Sequence, residues 1–406
     1  MKKSMIVAAM LAMVATGANA KSATDSATIA KNKPVFTVVK QNPITSIKDQ
    51  NRSGTCWAYS TLSYFESEIL KHTGKTYDLS EMFVANKTYM DRATMAVRMH
   101  GDVSFSQGGS AYDVLYALQH YGIVPEGAMP APGTLTGDSL ANFGEFFDVM
   151  TPYVEAVAKS NAKKISSAWK SGLQGIIDSY IGKTPEKFTY QGKQYTPQSF
   201  CQSLGLNLDD YVTITSYTHH PMWSKFAVEV QDNWRWPLSY NVPMDDLCKI
   251  IDNAINNGYT VAWGGDVTED GFTRKGLGIA YDVKKVRSMA GTDADHWFKL
   301  SKDEKKEKFD SLGVNAPEVV PTQAMRQEAF DNWETTDDHG MHIYGIAKDQ
   351  NGKEYYMVKN SWGEYGDYKG TWYMTKAFVA YKTMDFMVNK LSLIHISEPT
   401  RLGMIS

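Results

Sequence analysis

Cysteine is scarce in this chain. Three occur in 406 residues, Cys56, Cys201 and Cys248, and no two stand in a CxxC spacing. That excludes a scaffold built on disulfides and gives no cysteine-based zinc signature, so no metal or cofactor is expected. Excess charge of one sign is also missing: 42 basic residues face 45 acidic ones, for a net charge of −3. There is no basic tail and no interleaving of aromatic with basic residues, so neither nucleic acid nor an anionic membrane is indicated as a partner. Beyond residue 20 no apolar run is long enough to cross a bilayer. Internal repeats and low-complexity linkers are absent. What remains is a chain with 43% hydrophobic residues, enough for a substantial core, and a length that suggests about two or three domains.

Both ends stand apart from that body. Lys2 and Lys3, the apolar stretch Ile6 to Val14 and the small residues Ala18-Asn19-Ala20 make residues 1–20 a secretory signal. They predict export, most simply to a bacterial periplasm. Leu391 to Arg401 reads like the translation of an adapter used in sequencing libraries. Residues 391–406 are therefore expected to be foreign to the fold, with the natural chain end missing and the folded body spanning 21–390.

Of the three thiols, Cys56 has the most informative setting. It follows Gln50-Asn51-Arg52-Ser53-Gly54-Thr55 and opens a helical pattern. Ala58, Leu62, Phe65 and Ile69 recur at i, i+4, i+7 and i+11, which makes one apolar stripe. Lys71 and His72 favour a C-terminus, and Gly74 can cap it. A thiol at a helix N-terminus faces unpaired N–H groups that favour its thiolate, the nucleophilic form. Cys201 and Cys248 are the only pair that spares Cys56, and two free buried thiols are the default reading.

A cysteine nucleophile needs a base, and the base needs an orienting partner. Asp338 to Ile346 and Tyr355 to Gly363 each read as a strand, and Asn351-Gly352 between them signals a hairpin. The hairpin brings His339 near Asn360. His339 and His342 must point to opposite faces of their strand, so only one can meet Cys56.

Elsewhere the pattern reads as packing. From about 133 to 190 it turns helical, with stripes Phe146, Val149, Tyr153, Val157 and Trp169, Leu173, Ile176, Tyr180, and with Pro152 as a break or first-turn residue. His219-His220-Pro221 invites a metal reading, but adjacent histidines in a strand point apart, so a structural role is favoured. Ser301 to Lys308 mixes both charge signs and reads as a solvated helix face.

The segments Cys56-Trp57-Ala58-Tyr59-Ser60 and Asn360-Ser361-Trp362-Gly363 resemble the papain-like cysteine peptidases, and specifically the bleomycin hydrolase / aminopeptidase C branch. Leu79-Ser80-Glu81, Gln107-Gly108-Gly109, Tyr121 to Glu126 and Trp263 to Val267 add to the resemblance, which covers roughly residues 40–390. The family's histidine is followed by a small residue and an apolar one, with a glycine six positions on; His339-Gly340-Met341 with Gly345 fits, and His342 does not. There are departures. Ser53 stands where secreted papains carry a loop cysteine, and 283 residues separate Cys56 from His339, far beyond the roughly 130–150 of simple papains.

The resemblance implies an α+β, papain-like two-lobe fold: a helical lobe with a central nucleophile helix, an antiparallel β lobe, and a large helical insertion at about 133–230. It implies a catalytic set of Cys56, His339, Asn360 and Gln50, the last as an oxyanion donor. It also places Gly108, Gly109 and Trp362 at the peptide substrate, and implies a homo-oligomer, a homohexamer in that family. The expected activity is an aminopeptidase acting by acyl transfer. An endopeptidase or an acyl transferase with the same residues is the nearer alternative. A non-catalytic peptide-binding protein is the alternative of another class.

Overall fold

The computed structural model describes residues 32–133, 137, 139–289 and 299–393. The expected signal, residues 1–20, lies outside them, as do residues 394–406 of the expected foreign tail. Of that tail only Leu391 to Leu393 are described; Ser392 and Leu393 are buried.

The first helix, α1, spans Cys56–Thr73 and starts at the predicted cysteine. It stops where Gly74 takes a left-handed φ of +68° and its N–H returns to the Leu70 carbonyl. All four residues of the predicted stripe are fully buried. α2 (Glu81–Arg98) starts with the Ser80 hydroxyl accepting from the Phe83 N–H, and α3 (Ala111–His120) with a Ser110/Asp113 capping box. α4 (Gly144–Ala158) and α5 (Ala168–Tyr180) complete a shared apolar core that includes Leu62, Phe65, Phe83, Tyr89, Phe146, Met150, Leu173 and Ile177. The two predicted stripes meet this core, with Phe146 and Leu173 buried in it and Tyr153, Val157, Trp169, Ile176 and Tyr180 packed half-buried against it, but the most buried positions are offset from them. α4 buries Phe146, Phe147, Met150 and Val154 while Val149 is exposed, and α5 buries Leu173 and Ile177. Both helices are apolar over more than one face, so spacing alone does not select the buried one. The helical region is also shorter than expected, because the chain enters the main sheet at Tyr211, within 133–230.

The sheet has a six-strand antiparallel centre: β2 (Tyr211–Thr215), β3 (Val261–Gly265), β4 (His339–Lys348), β5 (Glu354–Lys359), β6 (Thr371–Thr375) and β7 (Thr383–Asn389). Their order is β2-β7-β3-β4-β5-β6, and β1 (Thr37–Gln41) pairs with the far end of β4. The β4–β5 turn forms as predicted: the Asp349 carboxylate accepts from the Asn351 and Lys353 N–H groups at 2.8 and 3.0 Å, and Gly352 adopts φ +80°. Alternation along the strands divides the two faces. Ala262 and Met387 join the helical core. Trp263, Met341, Ile343 and Phe386 join a second core with α6 (Met244–Asn256), to which it contributes Leu247, Ile250 and Ile251. All three cysteines are free. No helix among the described residues is long and apolar enough to cross a membrane.

One contact decides how the two cores meet. At Gly340 a Cβ would lie 2.6 Å from Ser60 Oγ and 3.3 Å from the Cys56 carbonyl oxygen, so β4 runs flush against the first turn of α1. Gly340→Val should force these elements apart and cost on the order of 1–3 kcal/mol. Urea denaturation measures the loss, and an unchanged midpoint would contradict the close contact.

Candidate active site

Cys56 owes its position to a turn stitched from its own side chains. The Ser53 hydroxyl donates to the Gln50 carbonyl at 2.7 Å, and the Gly54 N–H donates to Gln107 Oε1 at 2.7 Å. The Gln107 carbonyl in turn accepts from the Trp57 indole N–H at 3.0 Å. These bonds hold the loop that a disulfide would hold in the secreted papains. Sequence reading missed Gln107 as an anchor; it saw only the residue preceding a glycine pair.

His339 begins β4 and lies opposite Gly265 of β3. On the other side the register sets His342 opposite Lys359, which leaves Asn360 one residue past the end of β5. Asn360 therefore reaches His339 diagonally rather than directly across the ladder. The His339 Nε2–H donates to Asn360 Oδ1 at 2.8 Å, and that oxygen also accepts from the Ser361 N–H at 2.8 Å. Holding the proton on Nε2 leaves Nδ1 as the acceptor of a neutral ring. The Trp362 ring lies 4.9 Å from the His339 ring, tilted by 34°, and shields this hydrogen bond. His342 faces the other way: its Nδ1 is 2.9 Å from Ser63 Oγ of α1, and the side chain is fully buried.

Cys56 and His339 line one cavity of about 260 Å³, together with Trp57, Gly108 and Gly109, and with Asp232, Asp337, Asp338 and Asp385. The structure thus brings together the predicted nucleophile and base, distant in sequence. The glycine pair reaches the same space, but packing also demands glycine there. A Cβ on Gly108 would fall 1.8 Å from Asp232 Oδ2, and one on Gly109 would fall 2.9 Å from the Trp57 ring. The Gly108 carbonyl is already taken by Arg92 Nη1 at 2.6 Å. Gln50 and Trp362 are not among the cavity-lining residues. Trp362 covers His339 instead of facing the cavity. Gln50 is buried, its Oε1 accepting from Ser361 Oγ at 2.6 Å and its amide donating one N–H to the Ser53 carbonyl at 2.7 Å.

The electrostatics differ from the sequence expectation. Desolvation pushes the Cys56 thiol up to about 12; the Gly340 and Trp57 backbone amides pull the other way, and the Asp337 and Asp232 carboxylates add to the rise. The helix terminus does favour the thiolate, but burial outweighs it. Desolvation likewise pushes the His339 ring down to about 4, against the hydrogen bond to Asn360 and the charge of Asp338. Taken one at a time, both groups rest neutral at pH 7. Asp337 is held well above the ordinary carboxyl range by burial and then by Asp232, Asp385 and Asp338. Asp385 is pushed up to about 6 by burial.

Arg92 is the second residue that sequence reading missed. Fully buried on α2, it binds the Ser104, Gly108 and Gln231 carbonyls and Asp232 Oδ1, tying the cavity wall to the helical core. A charged residue inside an otherwise buried helix face was the available signal.

The model of the Peptidase C1-like family matches residues 2–334, a span that includes Cys56 and stops short of His339. Aminopeptidase G of Lactobacillus delbrueckii subsp. lactis is 23% identical over 385 residues, covering 86% of this chain and 82% of that protein. Aminopeptidase C of Lactobacillus helveticus is 23% identical over 401 residues, covering 87% and 83%. The crystal structure of PepW from Lactobacillus rhamnosis superposes with a TM-score of 0.67 at 19% identity, covering 94% of this chain and 86% of that one, so the two share a fold.

Burial gives a stability prediction with a definite sign. Desolvation, and then the charge of Lys359, hold the His342 ring well below its ordinary range, so it stays neutral in the folded chain and charges only on unfolding. Its contribution is fully present above about pH 6.5 and is lost as pH falls below that value. Raised carboxyls such as Asp385 act in the opposite sense, so the readout is a difference between variants. The stability gap between the parent and His342→Gln should narrow by about 2 kcal/mol from pH 7 to pH 5. Urea titrations at the two pH values measure it, and a constant gap would contradict a buried neutral imidazole.

Proposed function

Because the chain belongs to the Peptidase C1-like family, the papain-like group that contains the bleomycin hydrolase / aminopeptidase C branch, we propose that it is a cysteine peptidase that removes amino-terminal residues from peptides by acyl transfer at Cys56. The observation that carries this reading is the shared cavity of Cys56 and His339, with His339 oriented by Asn360. The fold is α+β. In this reading the helical core and the sheet are the two lobes, the cavity is the cleft between them, and the segment from about 133 is an insertion on the papain scaffold. Residues 1–20 direct export to the periplasm.

Each step follows from the groups present. Cys56 Sγ attacks the scissile carbonyl carbon while its proton passes to His339 Nδ1. A neutral resting pair suits this, because the two charges then form together, next to each other, as the bond forms. The developing oxyanion meets the Cys56 backbone N–H, which as the first of a helix has no intrahelical partner. Gln50 lies outside the cavity lining, but it has one amide N–H beyond the bond to Ser53, and in this reading that N–H turns towards the oxyanion as the second donor, the role the family resemblance gives it. His339 then gives its proton to the leaving amine, leaving a thioester on Cys56. Water attacks the thioester as Nδ1 takes its proton; the C–S bond then breaks, the acid leaves, and Nδ1 returns the proton to Cys56 Sγ. Asn360 accepts from Nε2–H throughout and keeps the ring in register.

Removal of single amino-terminal residues requires that the substrate's α-ammonium be recognised. The names of the relatives support an aminopeptidase, and the four aspartates around the cavity supply the charge. Asp337, destabilised as an anion by its acidic neighbours, gains most from an arriving cation. The homo-oligomer stays part of the proposal on family grounds.

Peptides with a free amine should be cleaved and their N-acetyl twins should not; equal cleavage would rule out the exopeptidase reading. Cys56→Ala should lower kcat by about 10⁴-fold or more. Asp337→Asn should raise KM for the free-amine peptide about tenfold, equivalent to about 1.4 kcal/mol for the lost charge contact. Unchanged KM would remove Asp337 from amine recognition.

A further inference from the structure

His219 and His220 do not lie in a strand. They sit in the turn between β2 and the short strand Lys225–Phe226, and there both rings can face one way. His219 Nε2 is 2.9 Å from Glu229 Oε2, and His220 Nε2 is 2.8 Å from Glu229 Oε1. One ligand atom from each of the three residues falls within a 4.8 Å span. The opposite-face argument made from sequence fails because its premise, an extended strand, is not met.

We propose that His219, His220 and Glu229 form a binding site for a divalent transition-metal ion, separate from the Cys56 cavity. Two imidazole nitrogens and one carboxylate oxygen are the donor set of a borderline ion such as Zn²⁺, and they disfavour Mg²⁺ and Ca²⁺, which take oxygen ligands. A tetrahedral ion with bonds of about 2.0–2.1 Å needs its ligand atoms about 3.3 Å apart. The two short nitrogen–oxygen distances run to different oxygens of Glu229, so with one oxygen as ligand the widest pair, within 4.8 Å, closes by up to about 1.5 Å, a change that rotation of exposed side chains supplies. Water fills the fourth position. The side chains are 30%, 36% and 54% exposed, so an ion can enter from solvent.

The surroundings hold the ligands as a metal site requires. The His220 ring stacks on Phe226 at 4.2 Å, and the His219 ring lies nearly parallel to Phe330 at 5.7 Å. Gln327 lies behind His219, with its Nε2 3.0 Å and its Oε1 3.4 Å from Nδ1. When Nε2 binds the ion, Nδ1 must carry the ring proton, and Gln327 Oε1 is there to accept it. Gln327 is itself fixed by its bond to Asp331 at 2.9 Å and by the Thr218 N–H at 2.5 Å. An ordinary surface ion pair is the competing description. It needs one histidine per carboxylate and no supporting amide, whereas here two rings converge on one carboxylate and one ring is backed by a nearly buried glutamine.

The site adjoins the proposed catalytic cavity. Glu229 lies between Val228 and Val230, which with Asp232 line that cavity, so an ion would fasten one wall of it to the turn after β2.

Zn²⁺ titration of the EDTA-treated full chain by calorimetry tests the proposal, with Co²⁺ absorption as a second readout. The parent should bind one Zn²⁺ per chain in the micromolar range or tighter, and Cys56→Ser should bind it equally, since the thiol is not a ligand. Glu229→Gln and His220→Ala should each weaken binding at least about tenfold, with urea midpoints in EDTA matching the parent. Because Glu229 is exposed, Glu229→Gln decides the matter if His220→Ala does not fold. No binding by the parent, unchanged affinity in Glu229→Gln, or loss of binding in Cys56→Ser would overturn the site.

Discussion

The close passage of β4 across the first turn of α1 is the constraint on which the rest depends. Gly340 has no side chain, and the space that a Cβ would need is occupied by Ser60 and the Cys56 carbonyl. That contact joins a helical core, laid down early in the chain, to a sheet strand that arrives 283 residues later. It also fixes His339, the residue before Gly340, at the rim of the cavity that holds Cys56. A larger residue at this one position would separate the sulfur from the imidazole without touching either.

Burial is the second theme, and it works against charge throughout the site. The thiol, the imidazole and at least two of the cavity carboxyls are each pushed towards their neutral forms. Such a site is poorly suited to holding isolated ions and well suited to reactions in which opposite charges appear together. Proton transfer from sulfur to nitrogen makes one such pair. Arrival of an ammonium beside Asp337 makes another. The Arg92 guanidinium, bonded to three backbone carbonyls and to Asp232, is the permanent cation of this wall and sets its shape.

What could be read in the sequence was whatever local rules determine. The start of α1 at Cys56, its end at Gly74, the Asn351-Gly352 hairpin and the opposite facing of His339 and His342 follow from capping, turn chemistry and strand alternation, all short-range, whereas the choice of His339 came from the family resemblance. The buried faces of α4 and α5 were read only in part: their predicted stripes pack against the core except at Val149, but those helices have apolar residues on more than one side and tertiary packing selects the deepest. The His219-His220 turn was misjudged for a related reason: a strand was assumed where the chain bends. The directions of the Gln50 and Trp362 side chains could not be read, because each depends on partners far along the chain or across the sheet, such as Ser361 for Gln50 and Trp372 for Trp362.

The central claim is that one sulfur and one imidazole share a proton. The rate of Cys56 alkylation as a function of pH, in the parent and in His339→Gln, tests it most directly. In the parent the reaction should stay fast well below the ordinary thiol range and fall off only as His339 protonates near pH 4. In the variant that low-pH reactivity should vanish, leaving an ordinary or higher thiol titration. A parent profile identical to the variant's would show that the two side chains do not act together.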